Sequence, residues 1–208
     1  MKYLVFLEQR GGQLKASAKE ALGVACHLAG GDANQVAGVL LGKDVQGLAS
    51  QVEKCGAHRV YTLEDKSLDL YNVETYTGAL TQVVEDFSPQ VILGMASPMG
   101  RDLFPRLAAR LDAGLLTDLV EVSGEAGNFT GGVKPMFAGK VLAQVAFTEG
   151  ATIKMATLRP NVFSYPTEKG EAQVTPFTPT GLAITKLKTL EIVETGETAQ
   201  EDLTEASR

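Results

Sequence analysis

The chain has 208 residues, of which 44% are hydrophobic and 21% charged, a composition that supports one large domain with a real core. Its net charge of −6 argues against nucleic acid or an anionic membrane as a partner, because both require a basic surface. Two lone cysteines, Cys26 and Cys55, indicate free thiols in a reducing compartment. No apolar run approaches the ~20 residues that cross a bilayer, so we expect a cytoplasmic protein without membrane insertion.

The first half of the chain alternates strand-like and helix-like patterns. Apolar runs predict strands at residues 2–7, 35–41, 59–63 and 91–95. Apolar residues at helical spacing predict helices at 14–29, 44–55, 72–87 and in the stretch 97–111. Gly11 and Gly12 predict a turn after the first strand. This alternation predicts βαβ crossovers and an α/β fold, a mostly parallel sheet with helices on both faces in three layers.

The pattern changes after Ala113, where strand-like segments follow one another without helices. They lie at residues 115–122, 130–136, 140–147 and 153–158, with glycine turns between them. We expect a run of hairpins that adds antiparallel strands to the parallel sheet in the C-terminal half. Residues 186–193 alternate polar and apolar side chains, which predicts a final half-exposed strand. The domain is therefore expected to span 1–190, followed by an acidic tail or linker at 191–208.

The usual enzyme signatures are missing from the sequence. The first strand is followed by EQRGG rather than G-x-G-x-x-G, and no G-x-x-x-x-G-K-[ST] segment occurs. His27 and His58 are isolated, and both cysteines lie on or beside apolar helix stripes, which favours packed or surface roles. We therefore expect no catalytic residue and no metal site. A cysteine-dependent enzyme remains an alternative that requires an accessible thiol.

A charged stretch, SPMGRDLFPRLAARL at 97–111, follows the fourth predicted strand and carries Arg101, Asp102, Arg106 and Arg110. Because proline is tolerated only in the first turn of a helix, Pro105 predicts a helix that begins at Gly100–Asp102, with Asp102 as first-turn acid or cap. Three interpretations stay open at this point. The arginines form an exposed Asp–Arg ladder, hold a phosphate at the helix start, or dock a partner.

Four stretches, in chain order, carry a resemblance to a known family. They are YLVFLEQRGGQLKASAKEALGVACHLA, GMASPMGRDLFPRLAARLDAGLLTDLVEV, KPMFAGKVLAQV and TLRPNVF. Together they resemble the N-terminal domain of the alpha subunit of an electron transfer flavoprotein, whose fold is similar to adenine-nucleotide-binding domains. The central G-R-D-L-x-P-R-L-A-A-R-L followed by G-L-x-T-D is the most specific match. Three positions depart from the family pattern, since Lys134 replaces arginine, Phe137 tyrosine and Lys140 asparagine.

The resemblance implies a role in electron transport. Members of the family are alpha–beta heterodimers that take electrons from flavin dehydrogenases and pass them to a quinone reductase or a similar acceptor. FAD performs the redox step and is held mainly by the C-terminal domain of the alpha subunit. Because that domain does not follow DLTEASR here, we expect a truncated chain. It is then a scaffold and partner-docking domain that binds the beta subunit and no FAD of its own, although the intact protein contains FAD.

The same resemblance assigns site residues to structural networks or to the subunit interface. These interface candidates are Gly100, Arg101, Asp102, Arg106, Arg110, Asp118, Arg159 and Phe163. Phe137 and Phe163 are interpreted as core or interface anchors rather than flavin-stacking residues. The alternative function is a stand-alone adenine-nucleotide-binding module with its pocket near residues 8–12, 41–44 and 96–101. A homodimer of the chain is also plausible, because a missing neighbour leaves apolar surface exposed.

Overall fold

A computed structural model describes residues 1–52, 57–125, 127–165, 172–182 and 185–191. Within these ranges the strands are β1 (Tyr3–Phe6), β2 (Gln9–Arg10), β3 (Gln13–Leu14), β4 (Val36–Gly42), β5 (Arg59–Glu64), β6 (Val91–Met95), β7 (Gly114–Leu119), β8 (Glu121–Glu125), β9 (Asn128–Met136), β10 (Val141–Ala146), β11 (Lys154–Leu158) and β12 (Gln173–Pro176). The helices are α1 (Ala16–Leu28), α2 (Ala49–Val52), α3 (Val73–Phe87) and α4 (Pro98–Leu111). None of the helices in these described ranges is long and apolar enough to cross a membrane.

The main sheet confirms the predicted α/β fold class. Its described strands run in the order β12-β5-β4-β1-β6-β11-β7, and every pair in it is parallel. Side chains alternate across the buried central strand β1, so Tyr3 and Val5 pack in the core on the α1 face. Leu4 and Phe6 pack in the core on the other face, against α3 and α4. The result is a three-layer domain with helices on both faces.

The C-terminal half differs from the predicted arrangement of strands. β8, β9 and β10 form hairpins as expected, but they make a separate three-stranded antiparallel sheet. The strands that extend the main sheet, β7 and β11, are parallel to it, so the expectation of antiparallel additions is wrong there. The predicted single strand at 115–122 is divided at Val120 between β7 and β8. Asp118, near the end of β7, has a left-handed backbone (φ 61°).

Two predicted elements of regular structure are also revised. The helix expected at 44–55 is a short 3₁₀ turn followed by α2 in its described part, while residues 53–56 lie outside the described ranges. The strand expected at 186–193 is not formed over its described part, residues 186–191. The edge strand is instead β12, which pairs with β5 and whose closing proline obscures its pattern. The acidic tail at 192–208 lies outside the described residues.

The segment beyond β12 is held against α3 by side chains of that helix and its cap. Glu74 accepts a hydrogen bond from the backbone N–H of Lys186 (2.6 Å), and Asn72 Nδ2 donates to the carbonyl of Leu187 (3.2 Å). About two turns further along α3, Gln82 both donates to and accepts from the backbone of Thr180, each at 2.9 Å. Side chains thus replace strand pairing as the means of attachment.

A buried carboxylate ties α1 to the loop after β11. Glu20 is only 5% exposed, and its two oxygens accept hydrogen bonds from the backbone N–H groups of Asn161 (3.0 Å), Val162 (3.1 Å) and Phe163 (3.0 Å). Buried N–H groups that lose their acceptor cost free energy, and hydrogen bonds to a charged group are stronger than neutral ones. Glu20 therefore fixes the path of the chain as it leaves the main sheet.

We expect Glu20→Ala to lower the free energy of unfolding by about 3 kcal/mol, because it leaves three backbone donors without their acceptor. Urea denaturation followed by circular dichroism measures the change. The matched control is Glu85→Ala, which removes an exposed glutamate from α3 and should change stability by less than about 0.5 kcal/mol. Equal effects of the two variants would refute the anchoring role of Glu20.

Candidate functional site

Four segments that are distant in sequence meet around one small cavity. It has a volume of about 270 Å³ and is lined by Ala96, Gly100, Arg101, Pro105, Thr117, Asp118, Lys134, Pro135 and Thr157. These residues come from the end of β6, the first turns of α4, and the ends of β7, β9 and β11. Because β6, β7 and β11 are parallel, their carboxyl ends lie at the same edge of the sheet, where α/β proteins commonly bind ligands. We call this space the arginine cavity.

Asp118 is held at the wall of the arginine cavity by three polar contacts. Its carboxylate accepts from Arg159 in a two-point geometry, with Nε to Oδ1 at 3.0 Å and Nη2 to Oδ2 at 2.6 Å. Its backbone N–H donates to Oγ1 of Thr157 (3.0 Å), where the register between β7 and β11 shifts. The hydrogen bonds with Asp118 raise the pKa of Arg159 above its ordinary value. Asp118 and Arg159, both predicted from sequence, thus form one ion pair.

The other cations of the cavity have fewer partners. Nζ of Lys134 donates to Oγ1 of Thr117 (3.1 Å). The side chain of Arg101 is exposed at the cavity rim and forms no ion pair with any residue that the structure describes. From the sequence, Lys134 was notable only because it replaces an arginine of the family pattern. Its position beside Arg101 was not predictable, because it lies on the separate antiparallel sheet.

The N-terminus of α4 is closed by a buried contact with β1. Ser97 is the N-cap, and its Oγ accepts from the backbone N–H of Gly100 (3.0 Å). The Ser97 hydroxyl donates in turn to the buried carboxylate of Glu8, which also lies 3.5 Å from Nζ of Lys15. A carboxylate therefore already occupies the region where a phosphate at this helix start would lie. A phosphate held by the backbone N–H groups at the N-cap of α4 therefore does not fit.

The start of α4 differs from the prediction. The helix begins at Pro98, where proline is well tolerated because the first N–H has no helical partner, and Pro105 lies inside it. Asp102 is neither cap nor first-turn acid, and accepts a hydrogen bond from the hydroxyl of Tyr71 (2.7 Å). Burial, together with Asp102, raises the pKa of Tyr71.

The remaining two arginines of α4 differ in their contacts. Arg106 pairs with Glu74 of α3 (3.1 Å), so this part of the expected ladder is a contact between two helices. Arg110 is exposed and forms no ion pair within the described ranges. Gly100 is buried, and it lies so close to the end of β6 that a side chain there would collide with the carbonyl oxygen of Met95. Gly100 therefore has a structural role in the fold.

A second cavity, which we call the switch-point cavity, lies where the strand order reverses, at the carboxyl ends of β1 and β6. It has a volume of about 540 Å³ and is lined by Glu8, Gln9, Arg10, Gly11, Lys15, Asp69, Leu70, Tyr71, Tyr76, Pro98, Met99 and Thr189. This is the place where the alternative, an adenine-nucleotide site, was expected. Two carboxylates, Glu8 and Asp69, line this cavity together with two cations, Arg10 and Lys15, so its charges are mixed. At the start of α4 itself, a phosphate or the diphosphate of FAD would meet the carboxylate of Glu8.

The other sequence candidates lie away from both cavities. Phe163 is half-buried and lines a larger groove, about 900 Å³, beside Cys26 and His27 of α1. Cys26 is half-buried rather than fully buried, and Cys55 lies outside the described residues. His27 and His58 are exposed. Within the ranges that the structure describes, no three His, Cys, Asp or Glu residues are grouped to hold a metal ion.

An apolar surface covers the tip of the β9–β10 hairpin. Phe137 is 72% exposed and Leu142 is 64% exposed, and Met136 and Val141 beside them are also exposed. We call these four residues the hairpin tip. Phe137 is therefore not a core residue, although the role of interface anchor remains open to it. Sequence patterning missed the other three, because apolar residues in a strand normally indicate a buried face.

Comparisons with known proteins identify related chains. A family model described as the electron transfer flavoprotein domain matches residues 3–180. The electron transfer flavoprotein subunit alpha of Bacillus subtilis (strain 168) is 36% identical over 162 residues, covering 77% of this chain and 48% of that protein. The protein of the same name from Syntrophomonas wolfei subsp. wolfei is 38% identical over 160 residues, covering 76% and 48%. Protein FixB of Clostridium saccharobutylicum is 35% identical over 161 residues, covering 76% and 47%. The chain thus spans about half the length of these curated relatives.

We expect Gly100→Ala to destabilise the fold by at least about 2 kcal/mol, because the new Cβ meets a backbone oxygen that cannot move aside. The matched control is Gly78→Ala in α3, where the added Cβ lies 3.4 Å from a flexible side-chain atom of Leu182. Since alanine favours helices, the control should change stability by less than about 1 kcal/mol in either direction. Chemical denaturation of both variants measures the difference, and a tolerated Gly100→Ala would contradict the close approach of α4 to β6.

Proposed function

This chain belongs to the electron transfer flavoprotein family, and we propose that it is the scaffold and partner-docking domain of an electron carrier. The assembled protein shuttles electrons from flavin dehydrogenases to a quinone reductase or a similar acceptor. The chain itself performs no catalysis in this proposal. It gives the redox-active part a rigid base, and the continuous parallel sheet with two covered faces supports that role.

The hairpin tip is the observation that carries the docking part of this proposal. Exposed apolar residues that lie side by side on one hairpin mark interaction surfaces more often than scattered single ones do. Phe137 and Leu142 project from the β9–β10 hairpin, and β10 is an edge strand that pairs with β9 on one side and with no described strand on the other. Covering their rings and methyl groups removes apolar area from water, which drives association.

We assign this surface to the electron transfer flavoprotein beta subunit, which makes the intact protein a heterodimer. The relatives' name, subunit alpha, denotes one subunit of an assembly and supports the choice. Exposed charged candidates from the sequence, Arg101, Asp102 and Arg110, are proposed as polar parts of the same or a neighbouring interface. The alternative partner for the hairpin tip is a second copy of this chain. The binding experiment below distinguishes a homodimer from a complex with the beta subunit.

FAD belongs to the intact protein in this proposal and is not held by this chain alone. The family is one of flavoproteins, and the chain spans about half of its relatives' length. The switch-point cavity supports this division, because the carboxylate of Glu8 lies at the start of α4, where a diphosphate would bind. We also propose residues 1–190 as the domain, and a cytoplasmic location, which suits its net charge of −6 and its low cysteine content.

We expect the double variant Phe137→Ser, Leu142→Ser to bind the beta subunit about tenfold or more weakly, because it removes two apolar anchors. Sedimentation velocity of mixtures of the two chains measures the affinity. The control is Leu70→Ser, which changes an exposed leucine far along the chain from the hairpin and should leave binding unchanged. The assignment would be overturned if the double variant bound the beta subunit as tightly as the unmodified chain. It would also be overturned if this chain alone formed a dimer that the double variant abolished.

We expect no binding of AMP, ATP or FAD at micromolar concentrations to the 208-residue chain, because the carboxylate of Glu8 lies at the helix start in the switch-point cavity. Isothermal titration calorimetry with each compound tests this expectation. The variant Glu8→Gln is titrated in parallel. Because it removes the negative charge at the helix start, it should bind a nucleotide more tightly than the unmodified chain does. Micromolar binding of an adenine nucleotide or of FAD by the unmodified chain would support a stand-alone nucleotide module instead.

A further inference from the structure

The arginine cavity is a small, rigid space with well-defined walls. Its volume of about 270 Å³ is at the lower end of small-molecule sites, and suits one compact ionic group better than a nucleotide. Pro105 of α4 and Pro135 of β9 form part of the wall, and proline contributes no backbone donor and little flexibility. The shape is therefore set by the backbones of the sheet edge and of α4.

The lining of the cavity carries a positive charge that the described residues do not neutralise. Arg101 has no ion-pair partner among them, and Lys134 contacts only the neutral hydroxyl of Thr117. The one carboxylate in the lining, Asp118, is matched by the two-point contact with Arg159. A pair of uncompensated cations in a chain of net charge −6 is a local reversal of the protein's charge.

Hydrogen-bond donors point to an oxyanion as the ligand. Oγ1 of the buried Thr157 accepts from the backbone N–H of Asp118, so its own proton is available to donate to another group. Lys134 uses one of its three donors on Thr117, and the guanidinium donors of Arg101 have no acceptor in the described residues. An arginine fork, a lysine and a hydroxyl together match the several oxygens of a phosphate.

We propose that the arginine cavity binds a phosphate group, either as inorganic phosphate or as the terminal phosphate of a small metabolite. Arg101 and Lys134 supply the charge, and Thr157 supplies a neutral hydrogen bond. Arg159 acts through Asp118, because it cancels the one charge that opposes an anion. This assignment gives Arg101 a ligand-binding role beyond that of an interface residue, and it is independent of the hairpin tip.

The switch-point cavity provides an internal comparison for this proposal. Both spaces lie at the carboxyl edge of the same sheet, on either side of the start of α4. The switch-point cavity has Glu8 at the helix start, whereas the arginine cavity has the side chains of Arg101 and Lys134. In the switch-point cavity Arg10 and Lys15 are balanced by Glu8 and Asp69, whereas Arg101 and Lys134 outnumber the single carboxylate of the arginine cavity, which Arg159 already pairs. The excess positive charge of its lining therefore favours the arginine cavity for an anion.

Titration of the 208-residue chain with sodium phosphate, at constant ionic strength held with chloride, tests the proposal. Amide resonances in two-dimensional NMR should shift for Gly100, Arg101, Thr117, Asp118 and Thr157, and the shifts should saturate. Arg101→Gln and Lys134→Gln should each weaken phosphate binding by about tenfold or more, since each removes a charged donor. Arg110→Gln makes the same charge change on the exposed face of α4 and should bind phosphate as the unmodified chain does.

Parallel titrations distinguish the possible sources of the phosphate. If glycerol 3-phosphate shifts the same amides and binds more tightly than inorganic phosphate, the ligand is a small metabolite; if it binds equally or more weakly, the ligand is the free ion. Both outcomes support the site. Acetate should bind more weakly because it carries one charge. No saturable shifts at tens of millimolar phosphate, or equal losses in Arg101→Gln and Arg110→Gln, would overturn the proposal.

Discussion

The buried contact between Glu8 and Ser97 is the interaction on which the carboxyl edge of this domain depends. It joins the residues that follow the two central strands, β1 and β6, and so fixes the place where α4 begins. Because Ser97 also caps Gly100, the helix starts close enough to the sheet to require glycine at that position. The same start sends Arg101 to one side of the helix and leaves Glu8 on the other. Two neighbouring cavities whose linings differ in charge therefore lie on either side of one hydrogen-bonded pair.

A parallel sheet explains how short, distant segments produce one site. Its strands end at the same edge, so residues after β6, β7 and β11 become neighbours although they are up to 61 residues apart, from Ala96 to Thr157. The antiparallel β8–β10 sheet then brings Lys134 across the edge from outside. The resulting arrangement combines a rigid platform with a projecting hairpin. A scaffold role and a docking role are therefore compatible in one domain.

The sequence predicted the fold class because its strongest signal, alternating apolar strands and amphipathic helices, is local. α3 was predicted almost to its observed ends, since Asn72 caps it and Pro89 follows it closely. The pairing of β7 and β11 was not predictable, because a strand-like pattern does not state its partner or direction. The contacts of Glu8 with Ser97 and of Glu20 with Phe163 span 89 and 143 residues, and no pattern of spacing reveals them. The G-R-D and T-D motifs contain residues that line the arginine cavity, although the sequence assigned them to structural networks or an interface and predicted no cavity. The position of Lys134 beside them could not be predicted from spacing.

Glu74 joins three parts of the molecule through a single carboxylate. Its oxygens accept hydrogen bonds from the backbone N–H of Lys186 and from the side chain of Arg106. The segment beyond β12 and the contact between α3 and α4 therefore share one charge. The backbone hydrogen bond from Lys186, with help from Arg106, holds the pKa of Glu74 below its ordinary value. A carboxyl with a depressed pKa contributes its stabilisation above the ordinary glutamate range and loses it as acid protonates it in the folded state. Acidification below that range therefore weakens both the attachment of the segment beyond β12 and the contact between α3 and α4. Both contacts keep their full strength at neutral pH.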